Sequence, residues 1–429
     1  MKIRFKTAVL GMAVVIGLTG GSAVGAAAAA PTSAAAATNA SVPVNALASP
    51  DWTYNVPAGQ NIESLFNKAT TLGSNTYFRT EKGDSSFVVQ AFDQKSGDQK
   101  NWSYDFRGGA QNFMGGGIEY GPNGDVYFLS KKGAEKTFTI RAVDAQGKLK
   151  WTKPVQVNLG AQLQATSKGD IVVIDTMEAA KKSPAATVFY TFGSDGKLKS
   201  EKKTTQSGIF KVLDNGQVLN YGAKVQLYSS VNALSKPVLS YAVPKNQYLS
   251  YDFLSDSSDY AVYPLSGGGT LIEFYEDKIE EVKGGGIVDK GPVTKQPERT
   301  LIGFDAQGKK TFERVLADKE SIVPAGKGFV TQKEQHFEAY DLNNKRTGTA
   351  ELEGRDLLMN VAPSGEITVS SKKDGKFYAL NAADLKTVHK FDLNAGADKV
   401  KAYAFYYAGK GSLYTLEAGE KTVSHYTLK

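Results

Sequence analysis

Ala142-Val143-Asp144-Ala145-Gln146-Gly147-Lys148-Leu149-Lys150-Trp151 decides the fold. It reads as the end of one strand, a tight Asp/Gly turn and the start of the next. Its first three columns (small residue, apolar residue, Asp or Asn) recur along the chain. The copies are Ala91-Phe92-Asp93, Thr191-Phe192-Gly193, Ser230-Val231-Asn232, Gly303-Phe304-Asp305, Ala339-Tyr340-Asp341 and Ala379-Leu380-Asn381, with a worn copy at His425-Tyr426-Thr427. The third column therefore falls at 93, 144, 193, 232, 305, 341, 381 and 427, with one wide gap that implies an insertion.

A second motif alternates with the first: a Gly-containing turn that runs into an apolar strand. It appears at Gly73-Ser74-Asn75, Pro122-Asn123-Gly124-Asp125, Ser167-Lys168-Gly169-Asp170, Asp214-Asn215-Gly216-Gln217, Gly267-Gly268-Gly269-Thr270, Gly326-Lys327-Gly328, Pro363-Ser364-Gly365-Glu366 and Gly409-Lys410-Gly411-Ser412. Gly and Asn supply the positive φ that tight reversals need. The intervening segments, such as Val126-Tyr127-Phe128-Leu129 and Ile171-Val172-Val173-Ile174, are rich in β-branched and aromatic residues, which marks strands.

Each unit thus has four strands, A to D, with the Gly turn at A–B and the Asp turn at C–D. Eight such units predict an all-β chain, an eight-bladed β-propeller of four-stranded antiparallel blades. Helical periodicity is nearly absent, with room for one short helix at 62–69. The last unit ends after its strand C, whereas Trp52-Thr53-Tyr54-Asn55-Val56 follows no repeat and resembles the D strands beginning at Trp102 and Trp151. The N-terminal strand is therefore expected to complete the last blade and leave no free sheet edge.

Residues 51–429 form the expected single propeller domain. Before it, Lys2, Arg4 and Lys6 precede an apolar run over 8–18 and a small-residue stretch, the order of a secretory signal peptide over 1–30. An Ala/Ser/Thr-rich linker over 31–50 follows. The apolar run is short for a membrane span, so no transmembrane anchor is expected once the leader is removed. The chain has no Cys, which excludes a lipoprotein anchor, disulfides and thiolate chemistry. Its net charge of +7 includes three basic and no acidic groups within 1–50, leaving 7 − 3 = +4 for the remainder. That balance does not announce a nucleic-acid partner.

The stretch 142–151 resembles the PQQ-like propeller repeat, in which a small residue and Asp lead through Gly-Lys to Trp. The stretch 91–102 is a second match with a longer turn, and 303–312 a third with Phe312 in the Trp place. The resemblance implies a Trp that docks between neighbouring blades; here only Trp52, Trp102 and Trp151 exist. The family's dehydrogenases carry a vicinal cysteine pair that this chain lacks, so the likeness is to the non-catalytic branch, with no cofactor implied.

Catalytic signatures are scarce. The three histidines, His336, His389 and His425, lie in or beside C or D strands, and no serine elbow, zinc-protease pair or phosphate loop appears. No catalytic, cofactor or metal residue is assigned. The Asp of the C–D turn, at Asp93, Asp144, Asp305 and Asp341, reads as a cap of its own turn.

The A–B and C–D turns share one rim and are tight. Length and variety are expected on the other rim, in the B–C loops (175–186 and 273–300) and the D–A loop 107–117. Rigid scaffolds carry binding on such loops. The candidate contacts are Arg107, Gln111, Asn112, Lys131, Lys132, Lys181, Lys182, Lys372 and Lys373. The expectation is a secreted bacterial propeller, a monomer that acts as a binding or scaffold module at the cell surface or wall. It would bind a wall polymer, a carbohydrate or another surface protein. The alternative is an extracellular enzyme, lactonase- or lyase-like, with carboxylates and a metal at the central channel.

Overall fold

The computed structural model describes residues 49–61, 69–82, 87–94, 102–106, 117–130, 137–158, 160–179, 184–245, 247–249, 251–252, 259–276, 281–282, 286–287, 298–371, 373–392, 402–417 and 422–428. All belong to one compact unit within 37–429. The expected leader (1–30) and linker (31–50, apart from 49–50), and nearly all of the short helix expected at 62–69, lie outside the described residues. No described helix is long and apolar enough to cross a membrane.

Eight antiparallel sheets form a ring, an eight-bladed β-propeller. Blade 2 shows the plan: strand A at Ile118–Tyr120, B at Val126–Ser130, C at Phe138–Val143 and D at Leu149–Val155. Blade 3 repeats it with Gln162–Ala165, Ile171–Met177, Ala186–Phe192 and Leu198–Thr204. Blade 8 takes strands A to C from Ala402–Gly409, Ser412–Glu417 and Thr422–Thr427, and its strand D from Trp52–Asn55 at the other end of the chain. The closing register pairs Trp52 with His425 and Asn55 with Thr422. This is the closure expected from the sequence.

The C–D turns of blades 2, 5 and 6 form as Asp-capped hairpins. Asp144 Oδ1 accepts from the N–H groups of Gln146 and Lys148, at 3.0 and 2.8 Å. Asp305 and Asp341 make the same pair of bonds in blades 5 and 6. Gly147 closes its turn at φ +81, a conformation costly to any residue with a Cβ.

The core is divided among the seams between blades. Each of the eight seams holds a separate hydrophobic cluster, including the closing seam, where Trp52, Tyr414 and Val423 of blade 8 pack on Phe78 and Phe92 of blade 1. Alternate residues of one strand enter opposite seams. In blade 2, Val126 and Phe128 face blade 1, while Tyr127 and Leu129 face blade 3. A sheet buried on both faces needs apolar residues at every position, which explains why the B strands read as unbroken hydrophobic runs.

Three expectations need correction. The copy Ser230-Val231-Asn232 does not end a strand: strand C of blade 4 stops at Tyr228, and Val231–Ala233 form a 3-10 turn. That C–D connection spans 229–238, so length is not confined to the opposite rim. The wide gap holds two insertions, not one. Strand A of blade 5 is split into Gln247–Leu249 and Val262–Pro264, which both pair with Thr270–Glu276 and flank a small ribbon. The second insertion lies in the B–C loop, which is shorter than expected because strand B runs to Glu276 and strand C begins at Arg299. In blade 3, likewise, strand B extends to Met177.

Candidate functional site

The A strands of successive blades approach one another, as at 118–120 with 162–165 and 321–325 with 357–361. In a ring of blades only the innermost strands can do so, so the A strands wall the central channel. Their registers place Glu119, Gln164 and Lys211 at one equivalent position, one residue before the last pair of strands A and B in blades 2, 3 and 4.

These equivalent side chains form a polar layer together with Asp214 of the A–B turn in blade 4. Gln164 Nε2 donates to Glu119 Oε2 and to Asp214 Oδ1, both at 3.1 Å, and so bridges blade 2 to blade 4. The Ala165 N–H also points at Glu119 Oε2, at 3.4 Å. Across the closing seam, Thr71 Oγ1 and Tyr406 OH are hydrogen-bonded at 2.9 Å.

Glu119 and Lys211 are partly buried, and Asp214 is exposed at its turn. Burial, reinforced by the charge of Asp214, pushes the Glu119 carboxyl up to about 8, against smaller opposing effects of the Ala165 N–H and Lys211. Burial also pushes the Lys211 ammonium down to about 8, offset in part by Asp214 and Glu119. Asp214 is raised by burial, with Lys211 and Gln164 opposing. At neutral pH the layer therefore offers a protonated acid at Glu119, an amide at Gln164 and an ammonium at Lys211, beside the carboxyl of Asp214: donors and acceptors together. On the same strand as Lys211, Ile209 is exposed, at 51%.

Arg107, Gln111, Asn112, Lys131, Lys132, Lys181, Lys182 and Lys372 lie outside the described residues. Lys373 stands on the B–C turn of blade 7 in an ion pair with Asp356. Among the described residues no group of three or more His, Cys, Asp or Glu is placed to hold a metal ion. His336 is paired with Glu351 at 3.0 Å, and His425 is buried at the closure.

The repeat tryptophans lie between blades. Trp102 Nε1 donates to the Ala145 carbonyl at 2.6 Å and Trp151 Nε1 to the Ser194 carbonyl at 2.9 Å, each on the C–D turn of the next blade. The turn glycines make room: a Cβ on Gly147 or Gly196 would come within 2.7 Å of the indole. Elsewhere the column is filled differently. Phe312 stacks on Phe329 of blade 6 at 5.5 Å, and Gly348 lets the Asp384 backbone of blade 7 approach directly.

The polar layer has a signal in the sequence. Each member is a polar residue between two apolar ones, just before the A–B turn: Ile118-Glu119-Tyr120, Leu163-Gln164-Ala165 and Phe210-Lys211-Val212. Only aligned as one column do they declare a common location.

No family model and no curated protein matches the chain. Similar solved structures include a eukaryotic initiation factor, at 12% identity over 80% of this chain and 90% of that one, TM-score 0.46. Another is the β-propeller domain of the Trilobed protease from Pyrococcus furiosus, described as having an open velcro topology. It is 10% identical over 83% and 93% of the two chains, TM-score 0.38. A third is the Dos1 propeller, at 9% over 82% and 75%, TM-score 0.34. Likenesses this distant have no bearing on function.

Proposed function

We propose that the protein is an exported binding ring, a non-catalytic propeller of the PQQ-like kind that holds an extracellular polymer or surface protein at its channel mouth. The carrying observation is the bridge from Glu119 through Gln164 to Asp214. It joins three blades into one surface of alternating donors and acceptors, set on rigid strands. Ligand sites combine a few convergent polar groups with apolar walls, and Ile209, two residues before Lys211 on the same strand, supplies such a wall. The basic, apolar and small-residue order of the first thirty residues and the absence of Cys support export of a chain that needs no disulfides.

Retention on isolated cell walls and on extracted surface proteins tests the reading. Gln164→Ala and Lys211→Met are expected to lower retention at least tenfold while the melting temperature changes little. Retention equal to that of the parent for both variants would refute the channel mouth as the binding surface.

A second reading is favoured by the same layer. A carboxyl that stays protonated near neutrality, bridged through an amide to a second carboxyl in a more open setting, is a pairing suited to general acid–base chemistry. Under it, Glu119 acts as the acid and Asp214 as the base on a bound polymer. Release of fragments by the parent, abolished in Glu119→Gln with retention intact, would select this reading.

A further inference from the structure

The seam between blades 6 and 7 opens on the tight-turn rim into a cleft of about 400 Å³, within the size range of small-molecule sites, roughly 300–1,000 Å³. The seam differs from the indole-filled ones in the tryptophan column. In the seams after blades 1 and 2 an indole fills the groove and donates to the first turn carbonyl of the next blade. Blade 6 carries Gly348 in that column. Ala382, the counterpart of Ala145, instead lines open space.

The lining is suited to one class of ligand. Asp341 uses Oδ1 for both of its turn bonds, which leaves Oδ2 with capacity to accept. Asn381 Oδ1 caps the Ala383 N–H at 2.8 Å, which leaves its NH2 to donate. Glu366 is held from within the cleft by Ser364 Oγ at 2.5 Å. Thr347 adds a hydroxyl, and Ala382 and Ala383 of the next blade add a small apolar wall. Two carboxylates against the single ammonium of Lys327 give the cleft a net negative charge, which disfavours phosphates, uronates and other anions.

We propose that this cleft binds one ring of an uncharged, hydroxyl-rich saccharide. The hydroxyls donate to Asp341 and Glu366 and accept from Asn381, and an apolar sugar face rests on Ala382 and Ala383. The site is separate from the channel layer and does not depend on the function assigned to that layer.

An array of neutral oligosaccharides (glucose, mannose and N-acetylglucosamine oligomers), followed by calorimetry on the purified protein with oligogalacturonate as the anionic comparison, tests it. The parent is expected to bind at least one neutral oligosaccharide and not the uronate. Glu366→Gln, which keeps the shape, and Ala383→Trp, which fills the cleft from its exposed lip, should each weaken that binding at least tenfold. Lys309→Gln, on the C–D turn of blade 5, should leave it unchanged. Failure of the parent to bind any neutral saccharide, preference for the uronate, or undiminished binding by both cleft variants overturns the proposal.

Discussion

Trp52 lies face to face with His425, ring centroids 5.3 Å apart and planes 13° apart, and the two are register partners where the ends of the chain meet. On its other face Trp52 stacks on Phe92 of blade 1, again at 5.3 Å. One indole therefore joins the last strand of the chain to the first blade. His425 is held in turn by Ser412 Oγ at 2.8 Å from Nε2, with Asp51 Oδ2 3.1 Å from Nδ1.

Removal of this indole should loosen the ring. Trp52→Ala is expected to cost about 3–5 kcal/mol, the usual range for truncating a buried large aromatic. Deletion of 51–56 should be worse, because it bares the edge of Thr422–Thr427 and invites pairing with other chains. Thermal unfolding and light scattering check both. A deletion variant that melts with the parent and stays monomeric would contradict closure through this strand.

The closure should weaken in acid. Burial holds the His425 imidazole below its ordinary 6.5, with Asp51 opposing, and burial lowers His389 as well. A base whose folded value is depressed contributes its full stability above the unfolded value and loses it as pH falls toward the folded one, because the unfolded chain takes up the proton first. Melting temperature should thus decline as pH drops below about 6.5. In His425→Asn the decline over that window should be shallower; an unchanged slope would exclude His425 as a contributor.

Glu119 should show the opposite sign. An acid raised to about 8 in the folded state penalises folding increasingly as pH rises from its unfolded value toward 8, since only the unfolded chain releases the proton. Glu119→Gln keeps the acceptor for Gln164 and Ala165 without that penalty. It should stabilise by about 1–2 kcal/mol at pH 7–8, allowing for the partial screening of a recessed group, and by little at pH 4. Destabilisation at pH 8 would show that the charge is tolerated there.

Gly348 should admit no side chain. A Cβ there would stand 2.4 Å from the Asp384 carbonyl oxygen, backbone that cannot rotate away. Gly348→Ala is expected to cost about 1–3 kcal/mol through overpacking, read as a lower urea midpoint. A neutral substitution would mean that the seam between blades 6 and 7 yields easily.

If an anionic wall polymer also meets the loop-rich rim, Lys131, Lys132, Lys372 and Lys373 changed to Gln should weaken wall retention and flatten its salt dependence, since such attraction is screened over about 8 Å at physiological ionic strength. Lys148, Lys197 and Lys309, on the C–D turns of the other rim, should matter little. Equal losses from both sets would indicate unspecific attraction.

The alternation of two turn motifs determined the blade count, the strand order within blades and the closure by Trp52, because turns are local: Asp144 caps its own hairpin whatever surrounds it. The docking of Trp102 and Trp151 was legible only through a family resemblance. Glu119, Gln164 and Lys211 were not legible as a site. They are separated by 45 and 47 residues, 119 to 164 and 164 to 211, and meet only because the registers of three blades place them at one height on the channel wall. Their perturbed protonation is equally tertiary, since burial and the neighbouring Asp214 cause it. The cleft between blades 6 and 7 is a property of packing as well: Gly348 in the tryptophan column shows that an indole is missing, and only the path of the 381–386 turn of the next blade decides how much of that space stays open.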